Sequence, residues 1–533
     1  GKSYRSGADP AVVEFRGEYY MFVTRSWGYW HSKDLLNWDF ITPEKWYFEG
    51  CNAPAAHNYK DSVLYVCGNP SGAMSILYTD NPKRGDWKAV PSVLHDLQDP
   101  ALFIDDDERA YMYWGSSNRW PIRGKELDMK NKFLPIAKKP DSLLFLRPDI
   151  HGWERFGENH TSDIKPFIEG AWMTKHNGKY YLQYAAPGTQ FNVYGDGVYV
   201  GKSPLGPFEY AAHNPFCYKP GGFATGAGHG STVCGPGGIY WHFGTIHLSI
   251  NYKFERRLCM FPTFFDEDGA MYSDTYFGDY PHYSPDQVSR QTTSGGFRGW
   301  MLLSYGKPVK ASSQLESYPV ENVTDENLKT FWVAEKNDDK QWVEIDLEEV
   351  SDVYALQLNF FDYEETGFWG RMPNLRQRYL VEASVDGARW RVLVDYRNSF
   401  RDAPHNYIEL DQPIEARYIR YRHHYVPGKN LAMGDIRVFG LGRGKKPATV
   451  KGFTVVREAD ERNARISWKA VKGAQGYNVL WGVALDKLYS SWMVYGDNSL
   501  DLRALTVGQK YYFAIEAFNE NGISQRVFLR EAH

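Results

Sequence analysis

A turn followed by an aromatic strand recurs five times in the first part of the chain, and that repeat constrains the fold more than any other feature. The runs are Arg-Gly-Glu-Tyr-Tyr-Met-Phe-Val at 16–23, Lys-Asp-Ser-Val-Leu-Tyr-Val-Cys at 60–67 and Asp-Glu-Arg-Ala-Tyr-Met-Tyr-Trp at 107–114. Two more follow, Asn-Gly-Lys-Tyr-Tyr-Leu-Gln-Tyr at 177–184 and Pro-Gly-Gly-Ile-Tyr-Trp-His-Phe at 236–243. Their spacing, roughly 40 to 70 residues, is the scale of one small antiparallel sheet in a radial array. Polar segments such as 31–38 and 201–208 supply the outer hairpins of such sheets. Helical periodicity is nearly absent, so the chain reads as all-β. Closing five sheets into a ring removes most exposed edges and gathers the innermost strands on one axis. The expectation is a five-bladed β-propeller over residues 1–303.

The pattern changes near Gly306-Lys307-Pro308. Alternating strands at 341–347, 379–384 and 416–421 predict a β-sandwich over 304–442. A basic Gly-Arg-Gly-Lys-Lys-Pro run at 442–447 reads as a hinge. Beyond it, 443–533 carries strand-like runs at 465–468, 475–481 and 510–517, which predict a second, smaller sandwich.

A length of 533 residues exceeds what one core can bury, in keeping with three units. The formal charge of −4 without a basic stripe argues against nucleic acid as a partner. No apolar run reaches the length of a membrane span. Cys51, Cys67, Cys217, Cys234 and Cys259 lack metal-type spacing, which argues against zinc and leaves disulfides open. Gly1 stands directly before the first strand and reads as a trimmed or engineered end, with no signal peptide in this chain. The expected location is secreted, periplasmic or cell-surface. Aromatic residues make up 16% of the chain, suiting both half-buried strands and the apolar faces of sugar rings.

Three acidic residues stand out by context. Asp9 lies in Ser-Gly-Ala-Asp-Pro-Ala-Val-Val (6–13), Asp99 in Leu-Gln-Asp-Pro-Ala-Leu-Phe-Ile (97–104), and Glu169 in Pro-Phe-Ile-Glu-Gly-Ala-Trp-Met (166–173). Each falls shortly before a repeated aromatic strand, in the first, third and fourth units. A single Asp-Pro is an ordinary turn, but three acids in blade register would converge on one axial pocket. Proline after Asp9 and Asp99 restricts the turn at the strand mouth. Cleaving a glycosidic bond needs one carboxylic acid to protonate the leaving oxygen and one carboxylate to activate water or attack carbon. A third carboxylate nearby raises the pKa of the acid.

The order Asp-Pro, Gln-Asp-Pro-Ala-Leu-Phe, then Glu-Gly-Ala-Trp-x-x-Lys-x-x-Gly-Lys-Tyr-Tyr-Leu resembles glycoside hydrolase family 43. The resemblance implies an inverting enzyme with Asp9 as general base, Glu169 as general acid and Asp99 tuning and orienting Glu169. Gly226-Ala227-Gly228-His229-Gly230-Ser231 also matches that family, in which this histidine lies near the axial centre and often holds water or a metal ion. Arg256-Arg257 resembles the family's sugar-binding arginine, and sequence does not choose between the two. The family often has Trp-Ala-Pro where this chain has Asn52-Ala53-Pro54, so Asn52 replaces a stacking ring. Trp27, Trp30 and Trp172 are candidates for an aromatic wall instead. The related sucrose and fructan hydrolases are disfavoured, because their Glu-Cys and Arg-Asp-Pro motifs are missing.

Asn322-Val323-Thr324-Asp325 and Leu328-Lys329-Thr330-Phe331-Trp332 resemble a coagulation factor 5/8 type C (discoidin-like) module. That implies a structural Ca2+ with Asp325 as a ligand. The last unit resembles fibronectin type III. No cofactor is expected for the chemistry itself. The expected partner is a polysaccharide or oligosaccharide. The leading reading is an α-L-arabinofuranosidase or β-xylosidase acting on plant polysaccharide or glycan side chains. A β-galactosidase or exo-galactanase of the same family is the near alternative, and a non-catalytic carbohydrate-binding protein the distant one.

Overall fold

The computed structural model describes residues 6–45, 51–69, 75–91, 97–250, 252–288, 296–364 and 375–530. It is all-β. The helical segments among the described residues are 3-10 turns of three or four residues.

Five antiparallel sheets succeed one another along residues 11–273, each laid down in chain order from its first strand outward. The first strands are Ala11–Phe15, Asn52–Tyr59, Ala101–Ile104, Glu169–His176 and Gly228–Cys234. Each neighbours the first strand of the next sheet, and the fifth returns to lie against the first. All five line one cavity of about 190 Å³. The aromatic repeats read from the sequence form the second strand of each sheet, Glu18–Phe22, Val63–Asn69, Ala110–Trp114, Lys179–Ala186 and Tyr240–His247. Buried between neighbouring sheets on one side and covered on the other, these strands favour bulky residues such as Tyr20, Tyr113, Tyr184 and Trp241.

One backbone feature recurs in all five units. Asp9, Ala53, Asp99, Gly170 and His229 have left-handed φ values of 55°, 44°, 49°, 66° and 50°. Each stands at the mouth of its first strand. Register slips by bulging there in the second, fourth and fifth sheets. Four of the five are not glycine, and a left-handed L-residue costs about 1–2 kcal/mol. The ring therefore holds this strain at one end, where such strain gathers when a side chain must be aimed.

The second unit is built on two long paired strands, Trp342–Phe360 and His405–Tyr425, flanked by Ala432–Leu441 and Arg378–Ser384. Its core includes Val343, Leu356, Leu358, Ile419 and Val438. The last unit packs a three-stranded sheet (Thr454–Arg457, Ala464–Ser467, Ser499–Leu502) against a five-stranded one centred on Gly476–Gly482 and Tyr512–Asn519.

One expectation needs revision. The 442–447 run is no loose hinge: the N–H groups of Gly442 and Gly444 donate to Glu520 O and Asn521 Oδ1, both at 2.8 Å, and Asn519 Nδ2 donates to Lys445 O at 3.0 Å. Its backbone polar groups find partners on the last unit, which flexible composition alone does not reveal. The last unit also packs directly on the first. Trp153, Tyr184 and Tyr218 of the first unit share one apolar cluster with Trp468, Trp481 and Trp492. Tyr272 stacks on Tyr489 with ring centres 3.6 Å apart. No disulfide forms among the described residues.

Candidate active site

The strained ends of the sheets bring the three carboxylates together around one imidazole. His229 Nδ1 lies 3.3 Å from Asp9 Oδ1 and 3.8 Å from Asp99 Oδ2. Ligand atoms of Asp99, Glu169 and His229 lie within 4.8 Å of one another, close enough for a single water or cation to touch all three. Asp9, Asp99 and His229 occupy the left-handed slot of their sheets. Glu169 is one residue earlier, and Gly170 takes the slot instead. A Cβ on Gly170 would stand 3.0 Å from both Cα and Cγ of His229, so glycine is what lets the fourth and fifth sheets approach.

Each acid has its own surroundings. Asp9 Oδ2 accepts from Thr24 Oγ1 at 2.5 Å, its N–H donates to Thr245 Oγ1 at 2.9 Å, and Arg256 Nη1 lies 3.6 Å from its Oδ1. Burial alone would raise its pKa. The charges of His229 and Arg256 and the Thr24 hydroxyl outweigh burial and hold it below the ordinary aspartate range. Asp99 has no such arginine. Burial, with the negative charges of Glu169 and Asp9, pushes it up to about 7 against the pull of His229 and Ser116. Glu169 accepts from Ser116 Oγ at 3.0 Å and from Tyr194 OH at 2.6 Å, so both carboxylate oxygens are oriented. On His229, burial works against charge, but Asp9, Asp99, Glu169 and Asp196 overrule it and hold its pKa above the ordinary value.

Asp196 fixes the backbone that presents this histidine. Its carboxylate accepts from His229 N–H at 2.8 Å and Gly230 N–H at 3.0 Å, and pairs with His242 Nε2 at 2.7 Å. Sequence reading did not single out Asp196, Tyr194, Ser116 or Thr24. None carries a motif, and their relation to the acids arises only when the sheets come together.

Strand parity sends the two arginines opposite ways. Both begin the strand Arg256–Phe265, where successive side chains face opposite ways. Arg256 faces Asp9 and Thr189 Oγ1, the latter at 3.3 Å, and its buried Nε has no hydrogen-bond partner among the described residues. Arg257 turns away from the acids toward His405 of the second unit.

The aromatic candidates separate too. Trp27 is 40% exposed in the loop between the strands Glu18–Phe22 and Tyr29–Ser32. Trp30 packs edge-on against Phe40 in the outer hairpin of the first sheet, and Trp172 lines the axial cavity three residues down the strand from Glu169. Neither is brought to the acids, because each falls on a strand position whose side chain is committed to packing. Asn52 stays at the site's edge: its Oδ1 accepts from Arg25 Nε at 3.0 Å, and the next N–H, of Ala53, donates to Thr24 Oγ1 at 2.7 Å. Trp120 was not anticipated. It is 62% exposed, four residues beyond the Ser116 that holds Glu169. Asp325 belongs to the second unit, where its carboxylate accepts from Thr330 Oγ1 at 2.6 Å and Asn327 N–H at 3.1 Å.

Carboxylates of contrasting environment, gathered at the mouth of an all-β ring, are the equipment of acid–base hydrolases that act on sugars. The chain belongs to glycosyl hydrolases family 43, whose sequence profile matches residues 4–271, just over half of its length. An F5/8 type C domain matches residues 308–433. A β-xylosidase of Xylanibacter ruminicola is 33% identical over 202 residues, covering 34% of this chain and 57% of that protein. An arabinoxylan arabinofuranohydrolase of Bacillus subtilis is 30% identical over 189 residues, covering 31% of this chain and 34% of that protein. The chain thus spans between a third and three-fifths of the length of these two relatives. A thermostable family-43 glycoside hydrolase of known structure superposes with a TM-score of 0.44 at 21% identity, over 53% of this chain and 97% of that one.

Proposed function

We propose that the chain is an inverting glycoside hydrolase that removes arabinofuranosyl or xylosyl units from arabinoxylan-type polysaccharides. The observation that carries this reading is the convergence of Asp9, Asp99 and Glu169 around His229. In the proposed reaction Asp9 takes a proton from water as the water oxygen bonds to the anomeric carbon. The glycosidic C–O bond breaks, and Glu169 gives its proton to the leaving oxygen. Solvent then returns a proton to Glu169 and removes one from Asp9. A base must be ionised at the working pH, which suits the depressed pKa of Asp9. Asp99 acts as an electrostatic partner of Glu169, and Arg256 offers its unpartnered Nε to a sugar hydroxyl. Trp27 and Trp120 form an apolar rim in place of the ring missing at Asn52. The names of the xylosidase and arabinofuranohydrolase relatives favour pentoses over galactose.

The five sheets are read as the blades of a β-propeller over 1–303, followed by a discoidin-like unit over 304–442 and a fibronectin type III-like unit over 443–533. In the discoidin-like unit, Asp435 Oδ1 is buried without a partner among the described residues, and burial raises the pKa of Asp325 beside it. Two crowded carboxyl groups with hard oxygen donors suit a Ca2+ ion. Calcium is expected to raise the Tm of the wild type and leave that of Asp325→Ala unchanged. The proposed setting is outside the cytoplasm, where such polymers occur.

The test is a panel of p-nitrophenyl glycosides with arabinan, xylan and galactan, run on the wild type, Glu169→Gln and Asp9→Asn. Activity on arabinofuranosides or xylosides that falls at least a thousandfold in both variants is expected, in line with the weight of acid–base groups. No activity on any substrate would overturn the reading, and full activity in Glu169→Gln would overturn the assignment of the acid.

A further inference from the structure

We infer that the second unit holds the active-site strand of the first in position, with His405 and Arg257 as positioning residues; the functional part of this inference rests on the reading of Asp9 as the base. A continuous path of hydrogen bonds joins the two. Asn359 Nδ2 donates to Asp435 O at 2.8 Å, and Asn359 Oδ1 faces His405 Nδ1 at 2.8 Å. Arg257 Nε meets His405 Nε2 at 3.1 Å, and Arg257 Nη1 donates to Arg256 O at 3.0 Å.

Polarity along this path is fixed. Arginine has only donors, so His405 Nε2 must accept. Its Nδ1 therefore carries the hydrogen, which Asn359 Oδ1 takes, leaving the Asn359 amide to donate to Asp435 O. The same assignment satisfies every member at once.

The path ends where the acid is anchored. Arg256 O accepts not only from Arg257 but also from Gly7 N–H at 3.0 Å, two residues before Asp9. Ser6 Oγ donates to Phe254 O at 2.9 Å and accepts from Arg256 N–H at 3.1 Å. Segments 6–9 and 254–257 thus move as a pair, and the Arg256 head reaches Asp9 from that pair. From that pair its Nη1 reaches Asp9 at 3.6 Å and Thr189 Oγ1 at 3.3 Å, so a shift of the backbone displaces the guanidinium from both. His405 and Arg257 meet beside a cleft of about 610 Å³ lined by both units, so a smaller side chain there leaves no new packed void. A misplacement of about 1 Å at a reacting group costs on the order of a hundredfold in rate.

The experiment compares His405→Leu, which removes the acceptor, with His405→Gln, which keeps one near the Nε2 position, and with Arg257→Met. Two readouts are taken on the full chain alongside Tm: amide hydrogen exchange of segments 6–15 and 254–265, and kcat and KM on the best substrate of the panel. Expected are faster exchange in both segments and a kcat about tenfold lower in His405→Leu and Arg257→Met, with KM within about threefold and most of the loss restored by Gln. The double variant His405→Leu/Arg257→Met should be no worse than either single one, since the two act as one strut. Unchanged exchange in a folded His405→Leu protein would overturn the inference. So would faster exchange with wild-type kcat, or a loss that Gln does not restore. If His405→Leu does not fold, Arg257→Met decides alone by the same criteria. A wild type inactive on every substrate would sink the enzyme reading instead, and the exchange arm would still report whether the strut exists.

Discussion

Replacing Asp99 by asparagine should make the protein more stable, and increasingly so as pH rises. Asp99 sits at about 7 in the folded chain against 3.8 for an ordinary aspartate. At 1.36 kcal/mol per pH unit that gap corresponds to roughly 4 kcal/mol. Below pH 4 the group is protonated whether the chain is folded or not, and it has no effect. Above pH 4 the unfolded chain ionises first while the folded chain keeps its proton, so stability drains away as pH rises and levels off once pH passes the folded value. Between pH 5 and pH 8 the loss amounts to about 2.5 kcal/mol. An asparagine does not ionise, and it keeps the shape of the side chain. In chelator-treated buffers the Tm of Asp99→Asn minus that of the wild type should therefore widen by roughly 2–4 °C from pH 5 to pH 8. A difference that stays constant or narrows with pH would refute the claim that Asp99 is held protonated by burial and its acidic neighbours. The same variant should lose activity, since a group that destabilises the fold at the centre of a site is retained for what it does there.

Other expectations follow from the same geometry. Gly170→Ala places a methyl 3.0 Å from His229 and puts an L-residue at φ 66°, so it should cost about 1–2 kcal/mol in a denaturant melt and lower kcat; a silent substitution would show that the two sheets can part freely. Asp196→Ala strips the partners from His229 N–H, Gly230 N–H and His242, and a loss of about 3 kcal/mol with a fall in kcat is expected from calorimetry and kinetics. Arg437→Met leaves the buried Glu326 carboxylate without its 2.6 Å partner and removes the 2.7 Å bond to Asp279 O of the first unit. Its denaturation midpoint should report a loss of about 3–5 kcal/mol, and a change under 1 kcal/mol would show that the pair is not desolvated.

Much of this site is written locally. Asp9 and Asp99 each precede a proline at a strand mouth, so their common register is visible along the chain, while Glu169 stands one residue before the slot that Gly170 fills. Strand content was equally plain, because a turn followed by alternating aromatics leaves few other conformations. What escaped is set by closure and parity. Nothing near Asp196 in the sequence says that its carboxylate ends under His229, since that contact forms between third and first strands of different sheets. Whether Arg256 or Arg257 faces the acids depends on which residue of the pair points into the ring, and a slip of one residue would exchange them. Trp172 was a candidate for the aromatic wall, yet along a strand the three residues from Glu169 span about 10 Å and carry the ring down into the axial cavity.

The apolar cluster that Tyr218 shares with Trp481 and Trp492 has a consequence for how the protein is made. The first unit leaves the ribosome long before the aromatic residues that complete this seam. At about 5–20 residues per second, the stretch from Tyr218 to Trp492 takes on the order of 15–50 s to synthesise. For that interval a face lined by Trp153, Tyr184 and Tyr218 stays open to water and to other nascent chains. Residues made late thus seal some made much earlier, and removing the unit that carries Trp481 and Trp492 would leave that seam permanently bare.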